Sequence, residues 1–309
     1  MPPRLWIITS SVQDTVYRTQ HLPRPGESVF VDEIQQFLGG KGTNQAIAAA
    51  RLGAQVSAIG MLGEDEVAEK FLEVFRAAGI NTQHIHQTPK APTGQASITV
   101  QADGLNQISV FVGANLMLRR SHIQSAGIRK EDLALCQFEV LDEVIWEVAQ
   151  SARLILNPAP FRDYPADLLK NVWALTPNET EAESLTGVQL SDNDSFEFAA
   201  GALHERGVPI VILTLGSKGA FVSSPDFTGL IPAPRVRALD TTAAGDVFNG
   251  ALANALWQEL AMKDAVSLAV KAASYSVTRP GALNSAPTVD ELRAFSNDTH
   301  QKTDHSIEK

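Results

Sequence analysis

The sequence predicts an α/β fold, a mostly parallel sheet covered by helices on both faces, with a small β-sheet lid projecting from it. Three observations predict this. Short β-rich apolar runs recur and end in turn or small polar residues, amphipathic helical patterns lie between them, and two stretches break the alternation. In such folds ligands gather beyond the carboxyl ends of the strands.

In chain order, "LWIIT" at 5–9 is the first strand. "GESVFVDEIQQFLGG" at 26–40 reads as extended chain, and "NQAIAAARLGA" at 44–54 as a helix with glycine near its end. A strand at "QVSAIG" (55–60) precedes a helix at "DEVAEKFLEVFRAAGI" (65–80). "GQASITVQADGLNQISVFVG" at 94–113 alternates around Asp103-Gly104, a hairpin signal. It and the earlier extended piece hold too few apolar residues to fold alone, so they form a lid on the main domain. Strands follow at "RLILNPAP" (153–160), "VWALTPNE" (172–179) and "PIVILTLG" (209–216), with a helix at "DSFEFAAGALHERGV" (194–208) before the last. The expectation is one domain over 1–295, lid segments at about 12–38 and 94–113, and a polar, frayed tail at 296–309.

A chain of 309 residues with 44% hydrophobic content buries a large core without staples. The lone cysteine, Cys136, excludes an internal disulfide and a thiol-based zinc site, and reads as a small buried residue in a protein of the cytosol. Neither a signal peptide nor a membrane span can be drawn. A net charge of −10 disfavours nucleic acid and anionic lipid, so the expected partners are small molecules.

In "LDTTAAGDVFNGALANAL", Asp246 follows Ala243-Ala244-Gly245 at the start of an apolar helix. It admits two readings. An acid in a first helical turn is stabilised by the helix dipole by about 0.3–1 kcal/mol. Alternatively, Asp246 accepts a proton from a hydroxyl nucleophile while the N–H groups of Ala243, Ala244 and Gly245 hold charge developing on a transferring phosphoryl group. "FLGGKGTNQAIAAARLGA" sets Gly39, Gly40 and Gly42 around Lys41, with Asn44 following. It is neither a P-loop nor a dinucleotide fingerprint. It suits hydrogen bonding to a polyhydroxylated ligand, or is a loop that needs only positive φ. In "TPNETEAESLTG", Asn178 and Glu181 make a capping box, and can also orient hydrated Mg²⁺ and phosphate. "LTLGSKGAFV" turns at Gly216, placing Thr214 and Ser217 where a nucleotide can lie. "HIH" at 84–86 and the other histidines lack metal-ligand spacing and read as packing or surface residues.

The ordered set "GGKGTNQA", "NPAP", "TPNETEAESLTG", "TLGSKG" and "DTTAAGDVFNGA" resembles the ribokinase branch of the PfkB-type carbohydrate kinases, from residue 5 to about 295. The resemblance implies a three-layer α/β/α domain with a β lid, ATP and Mg²⁺, and phosphorylation of a pentose, D-ribose first, on its terminal hydroxyl. It makes Asp246 the catalytic base and residues 243 to 245 the anion hole. It puts Asp14, Gly40, Lys41, Asn44 and Glu139 on the sugar, and Asn178, Glu181, Thr214, Gly216 and Ser217 on the nucleotide side. It further implies a monovalent cation, K⁺, at Asp240, Thr242, Ser276, Arg279, Gly281 and Ser285, most through backbone carbonyls, and a homodimer through the lid sheet.

Two positions depart from the family pattern. Val12 stands where an asparagine is usual, two residues before Asp14, and Pro280 where a basic residue is often found. An apolar group cannot replace an amide's hydrogen bonds, which opens 2-deoxyribose or another sugar as acceptor. A nucleoside acceptor and a non-catalytic sugar-binding regulator are the remaining alternatives.

Overall fold

Strand β1 (Leu5–Ile8) sends alternate residues into two different cores: Leu5 and Ile7 into one, Trp6 and Ile8 into the other. That is what a sheet covered on both faces requires. The computed structural model describes residues 2–165 and 167–295; the expected tail at 296–309 lies outside the described residues.

After β1 come β2 (Val12–Thr19), β3 (Glu33–Gly39), α1 (Lys41–Arg51), β4 (Val56–Gly63), α2 (Glu66–Ala77), β5 (Asn81–Thr88), β6 (Gly94–Gln101) and β7 (Asn106–Phe111). Then follow α3 (Arg120–Ser125), β8 (Leu133–Gln137), α4 (Asp142–Ser151), β9 (Arg153–Asn157), β10 (Ala174–Leu175), α5 (Glu179–Thr186) and α6 (Asn193–Glu205). The chain continues through β11 (Ile210–Thr214), β12 (Ala220–Ser223), β13 (Thr228–Ile231), α7 (Ala244–Trp257) and α8 (Met262–Ser276).

The large sheet runs β13-β12-β11-β10-β9-β8-β1-β4-β5, parallel from β11 to β5 and antiparallel at β11–β12 and β12–β13. Helices α1, α2, α7 and α8 pack on one face, and α3 to α6 on the other. Local chemistry sets the helix ends. Asp65 caps α2 by accepting from the Ala68 N–H at 2.8 Å, and α5 opens on an Asn178–Glu181 capping box and closes on Gly187 in the left-handed region. Helix α7 is buried almost throughout because it lies between α1 and α8.

The second sheet, β3-β2-β6-β7, is formed by the segments expected to make the lid, with β6 and β7 turning at Gly104 (φ 93°). The sequence reading named no strand at 81–88 or 220–231. In β5 the edge position replaces apolar alternation by half-buried histidines: His84 packs edge-on against Trp6 at 5.5 Å, and His86 against His122 at 4.7 Å. Cys136 is buried in β8, and burial pushes its thiol up to about 12. Among the described residues no helix is long and apolar enough to cross a membrane.

Candidate active site

The carboxyl ends of the parallel strands meet the N-termini of α1, α5 and α7. Asp246, in the first turn of α7, is buried, and two amides of α1 hold it: Asn44 Nδ2 donates to Oδ2 at 2.8 Å and Gln45 Nε2 to Oδ1 at 3.2 Å. Burial pushes its pKa up; the Lys41 ammonium and the two amides oppose the rise, and Glu139 adds to it. Lys41 keeps its proton, since burial works against the ammonium but Asp246, Glu139 and Glu181 outweigh burial.

The glycines around Lys41 are explained by close approach. Gly40 has φ 94°, and a Cβ there would lie 2.4 Å from the Ser10 carbonyl oxygen; a Cβ on Gly42 would lie 2.5 Å from the Ser10 nitrogen. Their absence of side chains seats the start of α1 on the chain leaving β1. Glu139, just beyond β8, is fixed there: its Oε2 accepts from Ser10 Oγ at 2.5 Å and from the Lys41 N–H at 3.0 Å. Asp14, on β2, faces an open cleft of about 1120 Å³ between the lid and segment 280–284. Burial, helped by Glu139, raises its pKa to about 6. The Asn44 Oδ1 is buried without a partner, an acceptor suited to a substrate hydroxyl.

Where the nucleotide is expected, Asn178 Oδ1 accepts from the Glu181 N–H, and Glu181 Oε2 from the Asn178 N–H, both at 2.9 Å. The capping box is therefore formed, and the same Glu181 carboxylate lies in the field of Lys41 and Asp246; burial raises its pKa. Thr214 bridges to Asn178 at the end of β11, and Gly216, at φ 52°, opens the tight turn that exposes Ser217.

Before α7, Ala243 sits at φ 59°, an unusual conformation for a residue with a Cβ. The Ala244 N–H donates to the Thr241 carbonyl at 3.2 Å, so it joins an anion hole only on breaking that turn. The N–H groups of Ala243 and Gly245 carry the expectation first. Asp240 ties two loops together: Oδ1 accepts from the Thr242 N–H at 2.9 Å and Oδ2 from the Gly281 N–H at 2.8 Å. Burial opposes its ionisation, but these bonds outweigh it and hold the carboxyl below its ordinary value. Ser276 ends α8 and Ser285 lies on the second loop, and they turn their hydroxyls to the Ala273 and Ala282 carbonyls. The Arg279 side chain is engaged elsewhere, 3.3 Å from Glu291 and stacked over Tyr275. Only its backbone is left to serve a cation.

Sequence reasoning missed Gln45 and Ser10. Gln45 was visible as a polar residue in an Ala-rich helical run, where a buried amide needs a partner, but nothing local names that partner.

Fold and strand-end chemistry together define a phosphotransferase acting on a small hydroxylated substrate. Comparison with known proteins makes this particular: the model for the pfkB family of carbohydrate kinases matches residues 4–289, and the chain belongs to that family. It is similar to the ribokinase of Haemophilus influenzae, 38% identical over 302 residues and covering 96% of this chain and 99% of the relative. It is 33% identical to the deoxyribokinase of Salmonella typhi over 297 residues, covering 94% and 97%. Its fold matches Arabidopsis thaliana ribokinase complexed with ribose and ATP at a TM-score of 0.88, with 29% identity and 96% and 99% coverage.

Proposed function

We propose that this chain is an ATP-dependent kinase that transfers the γ-phosphoryl group to the terminal hydroxyl of D-ribose, giving ribose 5-phosphate. The similarity to ribokinases over nearly the full length supports it. One observation carries it: a buried carboxylate, Asp246, held between the amides of α1 and the start of α7. As the hydroxyl oxygen attacks the γ-phosphorus and ADP leaves, Asp246 takes the hydroxyl proton, and the N–H groups of Ala243 and Gly245, joined by that of Ala244 once its turn to Thr241 opens, face the charge on the phosphoryl oxygens. Asp14, Gly40, Lys41, Asn44 and Glu139 orient the sugar. Asn178, Glu181, Thr214, Gly216 and Ser217 receive the nucleotide. Use of ATP suits a cytosolic site of action.

Among the described residues no cluster of three or more His, Cys, Asp or Glu is arranged to hold a metal. Mg²⁺ is commonly held through nucleotide phosphates with one or two carboxylates, and the Glu181 carboxylate at the start of α5, with Asn178 orienting water, suits that role. Magnesium, when bound, neutralises phosphate charge. The oxygen-rich loops at Asp240, Thr242, Ser276, Arg279, Gly281 and Ser285 fit K⁺, with Asp240 ionised, and an ion there would stiffen the anion-hole loop.

Val12, buried at the start of β2, favours a second reading in which 2-deoxyribose is the better substrate. ADP release with Mg²⁺ and K⁺ tests both. Ribose-dependent release is expected; release with deoxyribose alone moves the assignment to the second sugar. Val12→Asn is expected to raise the ribose to deoxyribose ratio of kcat/KM about 10-fold or more, as an added amide would read the extra hydroxyl. An unchanged ratio removes Val12 from specificity.

The lid exposes apolar side chains on both faces, Phe37, Ile108 and Val110 on the face that carries Asp14 and Ile34 and Phe111 on the other, surface that a second copy would cover. Sedimentation is expected to give twice the 33.2 kDa chain mass; a monomer at micromolar concentration rejects the dimer.

A further inference from the structure

Asn249 stands three residues after Asp246 on α7 and is 1% exposed. Asparagine is a poor residue for a helix interior, and a buried amide is costly unless paired. Its pairing is specific. Nδ2 donates to the Gly245 carbonyl at 2.8 Å, and Oδ1 accepts from Thr176 Oγ1 at 2.6 Å. Thr176 Oγ1 also lies 3.4 Å from the Leu156 carbonyl, but the contact to Asn249 is much the shorter.

Thr176 immediately follows β10, at the carboxyl end of the sheet. Its N–H donates to the Leu156 carbonyl at 3.0 Å, and its own carbonyl accepts from Asn157 Nδ2 at 3.2 Å. Asn157 Oδ1 accepts from Gln45 Nε2 at 3.2 Å, and that same nitrogen donates to Asp246. Gln45 Oε1 in turn accepts from Gln137 Nε2 at 2.6 Å, at the end of β8. The chain of bonds leaves the Gly245 peptide, crosses the ends of β10 and β9, and returns through Gln45, itself braced from the end of β8, to the Asp246 carboxylate.

We propose that Asn249 is a positioning residue for phosphoryl transfer: it holds the Gly245 peptide, and the anion-hole loop with it, in register with the strand ends that also fix Asp246. This rests on the roles given above to Asp246 and residues 243 to 245. Base and anion hole must be set relative to each other, and a displacement of about 1 Å costs on the order of 10²-fold in rate. Asn249 touches neither sugar nor nucleotide in this scheme, so its loss acts on turnover and not on sugar binding.

The test compares Asn249→Leu, which keeps the branching and number of side-chain heavy atoms and removes both bonds, with Thr176→Val and with Asn254→Leu. Asn254 is a buried amide on the same helix that bonds the Leu52 carbonyl at 3.3 Å, on the side away from the strand ends. Melting temperature, kcat, and KM for ribose and for ATP are measured for each full-length variant. Asn249→Leu is expected to lower kcat about 10- to 100-fold with KM for ribose within about threefold. Thr176→Val should follow in the same direction with a smaller loss, and Asn254→Leu should lower the melting temperature while kcat holds. A folded Asn249→Leu with kcat within twofold of wild type overturns the proposal, as does an equal kcat loss in Asn254→Leu. If Asn249→Leu does not fold, Thr176→Val decides, and unchanged kcat overturns it. Absence of turnover by the wild type with any pentose overturns the kinase reading itself, which the wild-type assay reveals separately.

Discussion

Asp246→Asn is expected to lower kcat by about 10³-fold, within the range removal of a general base produces, in a protein that still folds. Folding survives because the neighbouring amides can re-pair. Asn44 has an acceptor oxygen without a partner, so turning that amide over satisfies the new side-chain N–H, while Gln45 continues to donate to the remaining oxygen. The variant also removes a buried charge whose ionised form burial disfavours. It should melt at or above the wild-type temperature, the signature of a site whose chemistry is held at a cost in stability. Steady-state ADP release and a melting curve check both halves. A folded Asp246→Asn with kcat within tenfold of wild type removes Asp246 as the base.

Asp132→Ala is expected to destabilise the protein by about 3 kcal/mol without touching the site, the lower end of the cost of breaking a buried ion pair. Asp132 is fully buried just before β8. Its Oδ1 accepts from the Arg4 N–H and Arg129 guanidinium at 2.9 Å each, and Oδ2 from Trp6 Nε1 and the Arg129 N–H at 3.0 Å each. Its removal strands the Trp6 N–H in the core, while Arg4 and Arg129 keep some contact with water, which limits the loss. For a chain of this length that is a fall in melting temperature of about 5 °C. Burial alone would raise the Asp132 pKa, but the bonds from Arg129, Arg4 and Trp6 hold it far below the ordinary 3.8. A lowered folded value means the contribution is full above the unfolded-chain value and is lost as the pH falls below it. The gap between wild type and Asp132→Ala in urea midpoint should therefore be widest near neutrality and close in acid. A gap that persists unchanged below pH 3.8 would show that charge is not the cause.

Strands with continuous apolar runs, such as Leu5–Ile8 and Ile210–Thr214, were legible because burial on both faces leaves no polar positions. Strand β5 was not, since "NTQHIHQT" has no apolar alternation and is a strand only because β4 offers it a partner. The β12–β13 hairpin was hidden in the same way: four-residue strands carry little pattern, and the hydrogen bonds come from pairing β12 with β11 and β13 with β12. At the site, Asp246, Lys41, Asn44, Asn178 and Glu181 announced themselves as polar residues beside small ones at helix starts. Ser10 and Gln45 did not, because their meaning lies in partners far along the chain, Glu139 and Asp246.

The sequence by itself determined the alternation of strand and helix, the hairpin of the lid, the positions that must be glycine and the chemistry available at each helix N-terminus. Those are local properties, set by side-chain periodicity, backbone freedom and capping within a few residues. Only the tertiary structure decided which of those groups meet. The Asn44–Asp246 bond joins residues 202 apart in the chain, and the Asn249–Thr176 bond residues 73 apart. Such pairings follow from how the helices and strands pack, since burial makes each polar group find a partner in space and the chain between them carries no record of which one it will be.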